Sequence, residues 1–186
     1  MNPPLDASRS ILVLVDYQAR LLPAIHRGEE VLGEALRLAD VARELGIRVV
    51  GTEQNPQGLG PNAEAIRGRC EATLAKMHFD GCEDGLAGML RAPGRLAPSD
   101  VVVAGCETHV CLMQTALGLL RAGYRTWVAA NACGSRHPGD HALALERLRG
   151  EGAVPASVEM VAFEWLRSCE HARFRGVLEI LKRPRS

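Results

Sequence analysis

The sequence predicts an α/β fold, with a six-stranded, mostly parallel sheet held between two layers of helices. Three observations lead there. Short β-branched apolar runs recur along the chain, and most are followed by a helical pattern. The clearest runs are apolar without alternation, as expected of strands buried on both faces. Glycines close several of the helical stretches.

The first run is Ile11-Leu12-Val13-Leu14-Val15. Residues from about Glu29 to Leu45 carry apolar side chains at Leu32, Ala35, Leu36, Ala39 and Ala42, a helical spacing, and Gly46 ends that helix. Ile47 to Val50 is the second strand. A polar, glycine-rich loop follows over Thr52 to Pro61. A weak strand covers Thr73 to Lys76, and a helix runs from about Asp84 to Leu90. Pro98-Ser99-Asp100 turns the chain into Val101-Val102-Val103-Ala104-Gly105, the fourth strand. A helix near His109 to Arg121 is closed by Gly123, and Tyr124 to Ala129 forms the fifth strand. Asp140 to Arg149 is a helix closed by Gly150, Ala153 to Ala156 a short sixth strand. Helices near Glu159 to Leu166 and His171 to Leu181 complete the pattern. The basic end Lys182-Arg183-Pro184-Arg185 reads as a frayed polar terminus.

At 186 residues the chain suits one domain, and 47% apolar composition supports a substantial core. Lys plus Arg and Asp plus Glu each number 22, so charge gives no argument for nucleic acid or an anionic membrane. No basic segment leads into an apolar run at the start, and no apolar stretch approaches the ~20 residues of a membrane helix. A cytoplasmic protein is expected. The six cysteines form no CxxC pair and read as reduced thiols, most of them packed as small hydrophobes.

In open parallel sheets, ligands bind beyond the carboxyl ends of the strands. Asp16 directly follows the first run and is placed there, either as a turn residue or as a base. Cys111 lies near the start of the helix after the fourth strand. The helix dipole there favours a thiolate, and free N–H groups could hold an oxyanion; a packed cysteine is the alternative. Lys76 ends the weak third strand, as a surface lysine or as a partner for a thiolate and a carboxylate. His109 is only two residues from Cys111 and should point elsewhere. His137 and His141 share helical spacing but read as a solvated helix start. Arg136, after the fifth strand, meets a substrate or clamps a loop. Gly58-Leu59-Gly60 is no dinucleotide fingerprint, and no Walker A sequence occurs.

An ordered set of segments resembles the isochorismatase-like cysteine hydrolase superfamily over nearly the whole chain. Its carriers are Ile11 to Gln18, Thr52 to Gly60, Lys76 with Phe79, Val103 to Cys111, and Asn131 to Arg136. The resemblance implies a Rossmann-like three-layer α/β/α domain spanning residues 1–186, with a catalytic triad of Asp16, Lys76 and Cys111. It also implies a non-proline cis peptide joining Cys106 to Glu107, which aims the N–H of Glu107, with that of Cys111, at an oxyanion. Gln18, Gln54, Asn55, Phe79, Thr108 and Arg136 would line the substrate pocket. The activity implied is hydrolysis of a C–N bond in a small amide or ureido compound through a thioester. The alternatives are a vinyl-ether hydrolase with Cys111 a bystander, or a non-catalytic binding protein on the same fold. The partner implied is a small molecule, in a homo-oligomer.

Departures narrow this. Nicotinamidases of the superfamily place an Asp and two His as metal ligands after the second strand, where this chain has Thr52-Glu53-Gln54-Asn55-Pro56. Neither a metal nor any other cofactor is therefore expected. Where relatives often show Phe-Ser-Ala-Phe after the lysine, Phe79 here is followed by Asp80-Gly81-Cys82.

Overall fold

The computed structural model describes residues 3–91 and 97–184. Six strands form one sheet in the order β3-β2-β1-β4-β5-β6. They are β1 Ser10–Val15, β2 Arg48–Gln54, β3 Ala72–Lys76, β4 Asp100–Gly105, β5 Arg125–Ala129 and β6 Val154–Ala156. Every pairing within it is parallel. The helices are α1 Gly28–Glu44, the one-turn α2 Pro56–Leu59, α3 Glu64–Arg67 and α4 Leu86–Met89, then α5 Met113–Arg121, α6 Pro138–Gly150, α7 Val158–Leu166 and α8 Phe174–Leu181.

The strand order reverses between β1 and β4. The crossover through α1 leads from β1 to β2, while those through α5 and α6 lead the opposite way across the sheet. Right-handed crossovers therefore put α1 on one face and α5 with α6 on the other. α7 and α8 pack beside α1. This is the three-layer arrangement, and the apolar runs of β1 and β4 are its middle: Leu12 to Val15 and Val101 to Ala104 are wholly buried. Burial on both faces is what removed alternation from their sequence.

Several elements differ from expectation. β2 runs on through Gly51 to Gln54, where a loop was expected. Its polar end is stabilised by distant partners: the Asn62 side chain donates to the Thr52 carbonyl, and Glu53 accepts from the Asn62 N–H. The helix expected over Asp84 to Leu90 is a single turn, α4. The helix expected from His109 begins as a π-helical turn, Thr108–Leu112, before α5. α8 starts at Phe174 rather than His171. The basic end is not frayed as far as Pro184: Arg37 donates to the carbonyls of Leu181, Arg183 and Pro184. Arg185 lies outside the described residues. No described helix is long and apolar enough to cross a membrane.

Candidate active site

The site forms at the carboxyl ends of β1, β2, β3 and β4, on either side of the reversal in strand order. Val15 and Gly105 are neighbours in the β1–β4 ladder, and Val15 and Thr52 in the β1–β2 ladder. The residues that follow these pairs are therefore gathered at one edge.

Asp16 leaves β1 in the left-handed region, at φ 55°. Aspartate tolerates this conformation better than most residues. Its N–H donates to the Thr52 carbonyl at 3.2 Å, and its side chain is fully buried. One carboxylate oxygen accepts from the Thr52 hydroxyl at 2.6 Å, and the other lies 2.8 Å from Lys76 Nζ. Lys76, the last residue of β3, is as buried as Asp16. Its ammonium also donates to Gln54 Oε1 at 2.6 Å and faces the His78 carbonyl at 3.4 Å. Two hydrogen bonds and the ion pair with Asp16 hold the ammonium in place.

Cys111 sits in the π-helical turn after β4, 6% exposed, with its sulfur 3.8 Å from Gln54 Oε1. The thiol also interacts with the Asp16 carboxylate and the Lys76 ammonium. The three expected triad residues thus converge. The electrostatics differ from the expected dipole-favoured thiolate. Burial, then the negative charge of Asp16, push the Cys111 thiol up to about 12, and Lys76 offsets only part of this. Desolvation outweighs the end of a helix here. Burial beside a carboxylate thus favours the protonated thiol.

The Cys106–Glu107 peptide is cis, as the resemblance implies. Glu107 is pinned by Arg136, whose N–H and Nε both donate to Glu107 Oε1, at 3.1 and 2.9 Å. Thr108 is wholly buried. Its N–H donates to the Gly134 carbonyl at 2.8 Å, and its hydroxyl lies 2.9 Å from His141 Nδ1. His109 turns away from Cys111 and meets the Ser135 hydroxyl at 3.0 Å.

The remaining expected residues divide. Gln54 is in the site, bridging Lys76 and the Met77 carbonyl. Gln18 is buried behind it, and both amide hydrogens are used by the carbonyls of Gln54 and Gly60, so it holds the loop. Asn55, also at positive φ, donates its N–H to the Lys76 carbonyl and fixes the end of β3. Phe79 is half exposed beyond Lys76, beside the exposed Met77. Sequence reasoning missed Thr52, which belongs to the loop it expected, and His141, which it took for a solvated helix residue. Only the fold brings either to the site. Among the described residues no group of His, Cys, Asp and Glu is arranged to hold a metal ion.

Comparison with known proteins shows the family and the fold. The sequence model of the Isochorismatase domain family matches residues 10–160. Isochorismatase domain-containing protein 2A of Mus musculus is 33% identical over 175 residues, covering 94% of this chain and 84% of its own. A structure described as a MAR1 ribonuclease from Caenorhabditis elegans superposes with a TM-score of 0.91 at 25% identity, covering 99% of this chain and 95% of that one. YcaC of Escherichia coli, described as an octameric hydrolase of unknown specificity, superposes at 0.85 with 22% identity, over 97% of this chain and 92% of its own. The chain belongs to the isochorismatase-like hydrolase family.

Proposed function

We propose that the protein is a cysteine hydrolase that cleaves the C–N bond of a small amide or ureido compound. The observation that carries this reading is the convergence of Asp16, Lys76 and Cys111 in one water-poor crevice, with the carboxylate placed between a fixed ammonium and a protonated thiol.

The roles follow. Asp16 takes the Cys111 proton as the sulfur attacks the carbonyl carbon and a C–S bond forms. The N–H groups of Glu107 and Cys111 receive the resulting oxyanion. The C–N bond breaks, and the amine or ammonia departs with the proton held on Asp16. Water then gives a proton to Asp16 and attacks the thioester carbon. The C–S bond breaks, the acid leaves, and the sulfur regains its proton. Lys76, held 2.8 Å from Asp16, balances negative charge on the carboxylate and on sulfur. A thiol that rests neutral suits this scheme, since a bare thiolate buried beside a carboxylate would be repelled by it.

A small, neutral substrate suits the site, because the buried cation is already matched by Asp16. The protein acts as one domain and as a homo-oligomer in this reading. The exposed Met77 and Phe79 beside the site and the octameric state named for YcaC support association. The test is an ammonia-release screen over amides and ureides, with RNA as a further substrate because of the nematode protein's description. Activity on an amide that disappears in Cys111→Ala supports the reading. Activity that survives this substitution favours ether hydrolysis with a bystander thiol, and RNA cleavage alone would replace the amide assignment.

A further inference from the structure

We propose that His141 is a positioning residue for this hydrolase site, acting through Thr108 on the turn that carries Cys111. The inference rests on the cysteine hydrolase reading. His141 is on the first turn of α6, far in sequence from the nucleophile, yet its Nδ1 lies 2.9 Å from the Thr108 hydroxyl.

Thr108 has no solvent to turn to, being wholly buried. It directly follows Glu107, a proposed oxyanion donor, and opens the π-helical turn that carries Cys111. The N–H of Thr108 is held by Gly134, so the hydroxyl link to α6 is its second fixed point. Two further links run beside it, Glu107 to Arg136 and His109 to Ser135. Of the three, the Thr108–His141 link is the one anchored on a wholly buried side chain of the Cys111 turn. Burial also lowers the basicity of the His141 ring, which keeps it neutral near neutral pH. A neutral ring in its Nε2–H form can accept the threonine proton at Nδ1, leaving neither group unpaired. His141 also lines a cleft of about 440 Å³ between α1 and the segment after β5, with Glu34, Asn131 and Ser135.

The geometry gives a distinctive expectation. A side chain that merely stabilises the fold lowers the melting temperature. A positioning residue lowers kcat, because a displacement of about 1 Å at the reacting atoms costs roughly a hundredfold. The experiment compares His141→Ala, His141→Asn, Thr108→Val and the Thr108→Val/His141→Ala double variant, on an amide that the wild type hydrolyses and Cys111→Ala does not. The expected result is a kcat about 10- to 100-fold lower in His141→Ala with KM nearly unchanged. Asn should recover most of the loss, because its amide reaches the place of Nδ1. The double variant should be no worse than the worse single, as coupled residues require. An unchanged kcat in His141→Ala, equal failure of Asn, or strictly additive losses would overturn the assignment. Iodoacetamide labelling of Cys111 separates this outcome from failure of the parent reading. If no amide is turned over by the wild type, the hydrolase reading falls, and an identical labelling rate in wild type and His141→Ala then shows that the histidine does not position the sulfur either.

Discussion

Lys76 Nζ stands 2.8 Å from Asp16 Oδ2, and neither side chain reaches solvent. Withdrawing both charges from water is costly, and their mutual attraction repays it only when the remaining hydrogen-bonding capacity is met. Here Thr52 serves the acid, and Gln54 and the His78 carbonyl serve the base. The pair is thus a structural commitment as well as a chemical device.

Breaking it from one side should be worse than removing it. Lys76→Met leaves a buried carboxylate without its counter-ion and should destabilise the protein by about 3–5 kcal/mol. The double variant Asp16→Asn/Lys76→Met should recover a good part of that loss. Urea midpoints of the wild type, the single and the double variants check this; a double variant no more stable than Lys76→Met would refute it.

Asp16→Asn should have opposite effects on two measurements. The negative charge of Asp16 helps hold the Cys111 thiol at about 12, so its removal, with Lys76 still present, should lower that value and speed alkylation by iodoacetamide at mildly alkaline pH. Turnover should fall by about 10²–10⁴-fold, because the proton acceptor is gone. Parallel slowing of both would mean that Asp16 shapes the site rather than moving the proton.

Alkaline pH should weaken the fold. Burial holds both Cys111 and Cys133 at about 12, against an ordinary thiol value of 9.0. A group raised in the folded state contributes stability that is complete below its unfolded value and lost as pH climbs towards the folded one. Above about pH 9 the unfolded chain releases these protons and the folded chain keeps them. Stability should therefore drop with a slope approaching about 1.4 kcal/mol per pH unit for each thiol. Urea titrations under reducing conditions at about pH 8 and about pH 10.5 test the slope, which Cys133→Ala should reduce.

Gly118→Ala should disturb the wall beside the site. A Cβ on Gly118 would fall 2.3 Å from both carboxylate oxygens of Asp80, which is buried and ion-paired with Arg121 at 2.7 Å. Asp80 also holds the Cys82 N–H, so it cannot simply turn away. A loss of about 1–3 kcal/mol is expected, read as a lower melting temperature and relieved in Gly118→Ala/Asp80→Gly.

The strands were legible because their burial is written in their composition. β1 and β4 are apolar on both faces, and Gly46 and Gly123 stop their helices at φ 72° and 86°, as glycine after a helix commonly does. Asp16 was found because a charged residue directly after such a run has one natural place. The end of β2 was missed because Thr52, Glu53 and Gln54 are polar, and what keeps them in the sheet comes from Asp16, Asn62 and Lys76. The helix before β6 shows the same limit on a small scale: its positive-φ glycine is Gly152 rather than Gly150. Lys76 was placed at the end of β3 from its own segment, but its meeting with Asp16 and Cys111 came only from the resemblance, since no spacing in the sequence links the three. The state of the Cys111 thiol was misjudged because the dipole is local and visible in sequence, whereas burial and a facing carboxylate are made by distant segments.

The reversal of strand order between β1 and β4 bears on how the chain matures. While the protein is being synthesised, β1, β2 and β3 emerge first, with the acid after β1 and the ammonium on β3, only β2 lying between them. The edge of β1 awaiting β4 remains open until much later in translation, and an open apolar edge is prone to pair with other chains. Entry of β4 closes that edge and, in the same event, delivers the sulfur. Reactivity and protection against aggregation are thus acquired together, and a stalled or truncated product holding only the first three strands would be both inert and adhesive.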